Sequence, residues 1–94
     1  MRYLFLINPH SGSGKGMTVW QKVHHYLASQ QIDYQYVFSK YPGHPRELAA
    51  QCGQRRPVID CLVVIGGDGT LHEAFSGLLM TEAPSCPIAY IPAG

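Results

Sequence analysis

An unbroken apolar run, Cys61-Leu62-Val63-Val64-Ile65, leads directly into Gly66-Gly67-Asp68-Gly69-Thr70. Apolar residues without alternation describe a strand covered on both faces, the pattern of an interior strand in a parallel sheet. A chain holding such a strand must supply helices for both of its sides. The glycines that follow admit backbone conformations that cost other residues about 1–2 kcal/mol, and they let a ligand approach bare main chain. Strand, glycine turn and helix start, in that order, form a place to hold phosphate. Asp68 would repel phosphate unless a metal ion or a proton transfer intervenes. It is therefore either the chemical group of a site or only a cap for the following helix.

The remaining sequence alternates strand and helix patterns, which predicts an α/β fold of three layers, helix–sheet–helix, with a parallel sheet. The first strand is expected at about residues 2–8. A helix at about 16–30 places Val19, Trp20, Val23, Tyr26 and Leu27 on its apolar face. A second strand, about 34–38, alternates more mildly and suits a sheet edge. The next helix begins at Pro45, a residue favoured in a first turn, with His44 beside it as a cap. The third strand covers about 58–65. Leu71, Ala74, Phe75, Leu78 and Leu79 then form a helical stripe, and Thr70 with Glu73 fits a capping box at its start. Thr70 thus reads equally as cap or as ligand contact. A last strand follows at Ile88–Ile91. Strand order 2-1-3-4 is expected, because it sets the first and third strands side by side. Their following loops then share one crevice, where open α/β sheets bind ligands.

Composition removes several function classes. The net charge is +1, with the basic residues scattered, so no basic surface is offered to nucleic acid. Three cysteines, none closely spaced, argue against a secreted disulfide framework and fit a reducing, cytoplasmic setting. The histidines lack metal-binding spacing. No apolar run approaches the ~20 residues of a membrane span.

A second chemistry-bearing segment follows the first strand: Asn8-Pro9-His10-Ser11-Gly12-Ser13-Gly14-Lys15-Gly16. Alternate glycines, two hydroxyls and a lysine ahead of a helix start suit wrapping of phosphate oxygens by backbone N–H groups. It is not a Walker A loop, since Pro9 stands at the first required glycine and Gly16 follows Lys15. Nor is it a dinucleotide fingerprint, because the second glycine gap is too short and no acid closes the second strand. Lys15 reads equally as a phosphate contact or a surface lysine.

Together the two loops resemble the diacylglycerol kinase catalytic family, which includes bacterial lipid kinases and sphingosine kinases. The family's N-P-x-S-G-x-G is matched by Asn8, Pro9, Ser11, Gly12 and Gly14, and a threonine four residues before a glycine is matched more weakly by Ser39 and Gly43. Its G-G-D-G-T-L-N-E is matched by Gly66 to Leu71 and by Glu73, with His72 in place of the asparagine. Pro92-Ala93-Gly94 matches the start of the family's next motif.

The resemblance implies the N-terminal nucleotide-binding part of a two-domain enzyme that transfers the γ-phosphoryl of ATP to a lipid hydroxyl, such as that of diacylglycerol, with Mg²⁺. His10, Ser11, Gly12, Ser13 and Gly14 would line the phosphates, and Ser39 would stand near the nucleotide. Gly66, Gly67, Asp68, Gly69 and Thr70 would hold phosphates, with Leu71 and His72 along the adenosine. Asp68 would be the catalytic group, serving a metal–water network or deprotonating the lipid hydroxyl. The lipid acceptor, further acids and a peripheral membrane contact would belong to a β-rich second domain, so this part alone is expected to be inactive. NAD kinases share G-G-D-G and are the enzymatic alternative; a non-catalytic nucleotide-binding module is the other. The last strand, left as an edge, is expected to promote weak self-association through 88–91.

Overall fold

Every residue of the third strand is buried, and the rest of the molecule is arranged to cover it. The computed structural model describes residues 1–81 and 86–94. In chain order the elements are β1 (Arg2–Ile7), α1 (Ser11–Ala28), β2 (Asp33–Phe38), α2 (His44–Ala50), β3 (Cys61–Gly66), α3 (Asp68–Leu79) and β4 (Ile88–Pro92). A short 3₁₀ turn, Cys52–Gln54, follows α2. The strands form one parallel sheet in the order β2-β1-β3-β4, as expected.

The register explains the burial. Leu4 pairs with Leu62 and Phe5 with Val63, so alternate residues of two central strands face opposite layers. Leu4, Leu6, Leu62 and Val64 pack under α2 and α3 with Ala49, Cys52, Ala74 and Leu78. Phe5, Ile7, Val63 and Ile65 pack under α1 with Trp20 and Leu27. Trp20 is therefore core, and His24 stacks on its ring at a centroid distance of 4.8 Å.

Three details differ from the sequence reading. β3 begins at Cys61, and Val58 is exposed, because the chain reaches the sheet only where Asp60 N donates to Arg2 O at 2.8 Å. Tyr26 lies off the apolar face of α1 and is exposed. In α3 the buried face is Thr70, Ala74, Gly77 and Leu78, while Phe75 and Leu79 are 50% and 70% exposed. The physical reason is the close approach of α2: a Cβ on Gly77 would lie 2.2 Å from Arg46 O and 3.0 Å from Ala49 Cβ. Position 77 can carry no side chain there, and α3 seats around it with Phe75 and Leu79 turned outward.

Cys52 sits in this layer with its Sγ 3.7 Å from that of Cys86. Burial, followed by Cys86, pushes the Cys52 thiol up to about 12, against about 8.5 in an unfolded chain. A folded pKa above the unfolded one gives stability that is complete below about pH 8.5 and is lost as pH climbs towards 12. Denaturant unfolding at about pH 7 and about pH 10.5 is expected to show an alkaline loss that shrinks in Cys52→Ala. An equal loss in both proteins would contradict that assignment.

Candidate functional site

The chain leaves β1 through Asn8, whose backbone N–H extends the ladder by donating to Ile65 O at 2.9 Å. Its side chain works in two directions. Oδ1 accepts from His10 N at 3.2 Å, and Nδ2 donates to Thr70 Oγ1 at 3.2 Å. One residue thus organises the first loop and ties it to the second. Beyond it Gly12, Ser13 and Gly14 take φ of 59°, 57° and 96°, so regular helix in α1 starts only after them, near the expected Gly16. Ser13 bears a left-handed strain of about 1 kcal/mol that glycine would not. Lys15 is exposed in the first regular turn.

The second loop is set by close packing rather than by positive φ. A Cβ on Gly66 would stand 2.7 Å from Thr70 Oγ1, and one on Gly67 would stand 3.2 Å from Ser11 Oγ. Gly67 is the extended N-cap of α3, without a side-chain cap, and Asp68 is in the first turn. The capping-box reading of Thr70 and Glu73 is therefore corrected. Thr70 lies inside the helix, buried, where its hydroxyl receives the Asn8 amide. Thr70→Val is expected to lower stability by about 1–2 kcal/mol, since the amide loses its acceptor. Chemical denaturation measures this, and an unchanged midpoint would show the tie to be inert.

The chain end after β4 joins the two loops. Ala93 N donates to Gly66 O at 2.8 Å, and a Cβ on Gly12 would be 2.7 Å from Ala93 O. Ser11, Gly12, Gly67 and Gly94 thus meet above the C-terminal ends of β1, β3 and β4. Gly69 is exposed beside them in the first turn of α3.

Two hollows flank this junction. A crevice of about 320 Å³ lies between the first loop, the end of β2 and α3, lined by Asn8, His10, Ser39, Lys40, Tyr41 and Glu73 among others. Ser39 is buried and continues the β1–β2 ladder by donating to Ile7 O at 2.8 Å. Glu73 Oε1 is buried without a hydrogen-bond partner among the described residues. His44 does not cap α2, whose N-cap is Gly43; its Nδ1 accepts from Lys40 N at 2.9 Å. Tyr41 stacks on His44 with centroids 4.3 Å apart and donates to Glu47, a bond that raises the Tyr41 pKa.

The second hollow, about 500 Å³, lies on the far side of α3 against β4, lined by Asp68, Leu71, His72, Phe75, Ile88 and Tyr90 among others. The sequence-predicted residues therefore fall into three groups. His10 and Ser39 share the crevice, Ser11, Gly12 and Gly67 meet at the junction, and Asp68, Leu71 and His72 face the second trough. Ser13 and Gly14 lie in the left-handed turn beside the junction. Asn8, Glu73 and Tyr90 were not among the residues singled out for the site. Glu73 had a signal, for it follows Thr70 by three residues and so shares its helix face. Tyr90 had none beyond its place in a strand.

Among the described residues no group of three or more His, Cys, Asp or Glu side chains could hold a metal ion. Asp68 offers one exposed carboxylate. That donor set fits Mg²⁺ carried in by a nucleotide, since Mg²⁺ is commonly bound by one or two carboxylates plus substrate phosphates and keeps several waters.

Known proteins are similar to this chain in sequence and in fold. A family model described as the diacylglycerol kinase catalytic domain matches residues 2–94. YtlR of Bacillus subtilis is 32% identical over 93 residues, covering 98% of this chain and 29% of that protein. Human sphingosine kinase 1 is 34% identical over 98 residues, covering 99% of this chain and 25% of that protein. A crystal structure of a diacylglycerol kinase from Bacillus anthracis superposes with a TM-score of 0.80 at 29% identity, over 99% of this chain and 33% of that one. The chain thus spans a third or less of each of these proteins. Because the family match takes in both glycine loops and all four strands that carry them, the chain belongs to the diacylglycerol kinase catalytic domain family.

Proposed function

We propose that this chain binds the triphosphate of MgATP at the junction of its two glycine loops, as the nucleotide-binding part of an enzyme that phosphorylates a lipid hydroxyl such as that of diacylglycerol. The observation that carries the reading is the direct approach of the loops, with Asn8 Nδ2 on Thr70 Oγ1 at 3.2 Å and Ser11 Oγ 3.2 Å from a Cβ placed on Gly67. Phosphoryl transfer depends mostly on positioning and charge stabilisation, for which backbone donors, a helix N-terminus and one carboxylate are suitable groups. The crevice beside the junction suits the nucleoside: Glu73 brings an unpaired acceptor oxygen, and ribose hydroxyls are donors. The left-handed turn through Ser13 is strain of the kind that collects at ligand clamps.

Asp68 is proposed to act on the acceptor hydroxyl or on the waters of a nucleotide-borne Mg²⁺. The lipid would be met by parts of the protein outside this chain, at a membrane surface; no helix among the described residues is long and apolar enough to cross one. The test is the full-length protein with radiolabelled ATP and a panel of diacylglycerol, sphingosine and NAD. Label in a lipid is expected. Label in NAD alone would replace the reading with an NAD kinase, and ATP binding without transfer would replace it with a nucleotide-binding module.

β4 has no strand on its outer side among the described residues, and an unpaired edge invites pairing. Chain 1–94 on its own is expected to bind MgATP weakly, to transfer no phosphate, and to self-associate through 88–91. Sedimentation showing only monomer at high concentration would count against the last of these.

A further inference from the structure

Asp68 is exposed, in the first turn of α3, and nothing on its own helix holds its side chain: the N-cap is Gly67, without a side-chain cap bond. A carboxylate in that position is free to swing towards water or towards the helix's own N–H groups. One side chain limits it. The hydroxyl of Tyr90 stands 3.3 Å from Asp68 Oδ1 and 3.2 Å from Gly66 O. Both are acceptors and the hydroxyl has a single proton, so Tyr90 shares that proton between the first residue of the glycine turn and the acid at its far side.

The hydroxyl comes from a rigid element. Tyr90 lies on β4 opposite Val64 of β3, and its ring packs against the core beneath α2 and α3. The ring is therefore fixed by the sheet, while the carboxylate it reaches is exposed. Loss of solvent and the neighbouring Asp68 charge raise the Tyr90 pKa, so the hydroxyl remains a donor throughout the physiological range. Distances of 3.2–3.3 Å are long for a hydroxyl donor, as a single proton facing two acceptors requires.

We infer that Tyr90 is a positioning residue, which holds the Asp68 carboxylate in one orientation at the mouth of the trough between α3 and β4. The inference rests on the kinase reading and adds to it the group through which the acid is aimed. Tyr90→Phe keeps the ring and its packing and removes only the proton donor.

The experiment is a double-mutant cycle in the full-length protein, with Tyr90→Phe and Asp68→Asn made singly and together, assayed by transfer from radiolabelled ATP to the best lipid of the panel. In the wild-type background Tyr90→Phe is expected to lower kcat about tenfold, the worth of one hydrogen bond to a charged group. KM for ATP should stay within about twofold, because interactions removed only from the transition state leave KM unchanged. In the Asp68→Asn background the same change is expected to have no further effect, since groups acting through one another are non-additive. Equal losses in both backgrounds would show that the hydroxyl acts only on the turn through Gly66, and no loss in either would show that it positions nothing. Both results overturn the inference while leaving the kinase reading in place. A wild-type protein that labels no lipid would overturn the kinase reading, and this inference with it.

Discussion

Gly16→Ala is expected to lower stability by about 3 kcal/mol or more, at the upper end of overpacking effects. A Cβ at that position would lie 1.9 Å from Asn8 O, 3.0 Å from Asn8 C and 3.4 Å from Pro9 C. All three are main-chain atoms in a loop pinned to β3, so they cannot give way as a flexible side chain would. The start of α1 would have to lift off Asn8, and Asn8 carries the tie to Thr70. Against a total of about 5–15 kcal/mol for a domain, that loss is large. Gly69→Ala is the control. Nothing lies within 4 Å of its Cβ and its φ is not positive, so alanine should be neutral or stabilising by up to about 1 kcal/mol in a helical turn. Denaturant midpoints of the two variants measure the contrast. Equal midpoints would mean that the close approach of α1 to Asn8 is not what sets the first loop.

Asp68→Asn should remove activity without removing the fold. The side chain is exposed, and its attraction to the N-terminus of α3 contributes roughly 0.3–1 kcal/mol. Loss of a proton-transfer group, by contrast, lowers turnover by about 10²–10⁴-fold. The expected result for the full-length protein is a fall in kcat of that size with an unfolding midpoint close to wild type. Raising Mg²⁺ separates the two roles proposed for the acid. Partial recovery marks a role in the metal–water network, and a loss insensitive to Mg²⁺ marks proton removal from the acceptor. Full activity in Asp68→Asn would exclude both.

Much of this architecture is visible in residue order. The apolar run at 61–65, two glycine-rich loops and four strand patterns lead to the observed sheet order and to the crevice ends that hold both loops. What escaped depends on contacts between segments far apart in sequence. The α3 stripe was read correctly at Ala74 and Leu78, but it included Phe75 and Leu79, which are exposed, and left out Gly77, which the close approach of α2 requires. Thr70 had the spacing of a cap, but the helix starts two residues earlier and a side chain 62 positions away takes its hydroxyl. His44 looked like a cap and instead accepts from Lys40 N. Leu71 and His72, which the resemblance sets along the adenosine, line the trough against β4, and their place there follows from helical rotation rather than from residue order. Tyr90 is the clearest case. A strand tyrosine reaches Asp68 only because β4 lies beside β3, and no pattern within either segment contains that information.

The most direct measurement is a titration of the full-length protein, labelled with ¹⁵N-glycine, with MgATP while following the amides of both loops. The resonances of Gly12 and Gly14 and those of Gly66, Gly67 and Gly69 are expected to move together along one binding curve with a single Kd. Movement confined to one loop, or two curves with different midpoints, would mean that the loops do not share a triphosphate.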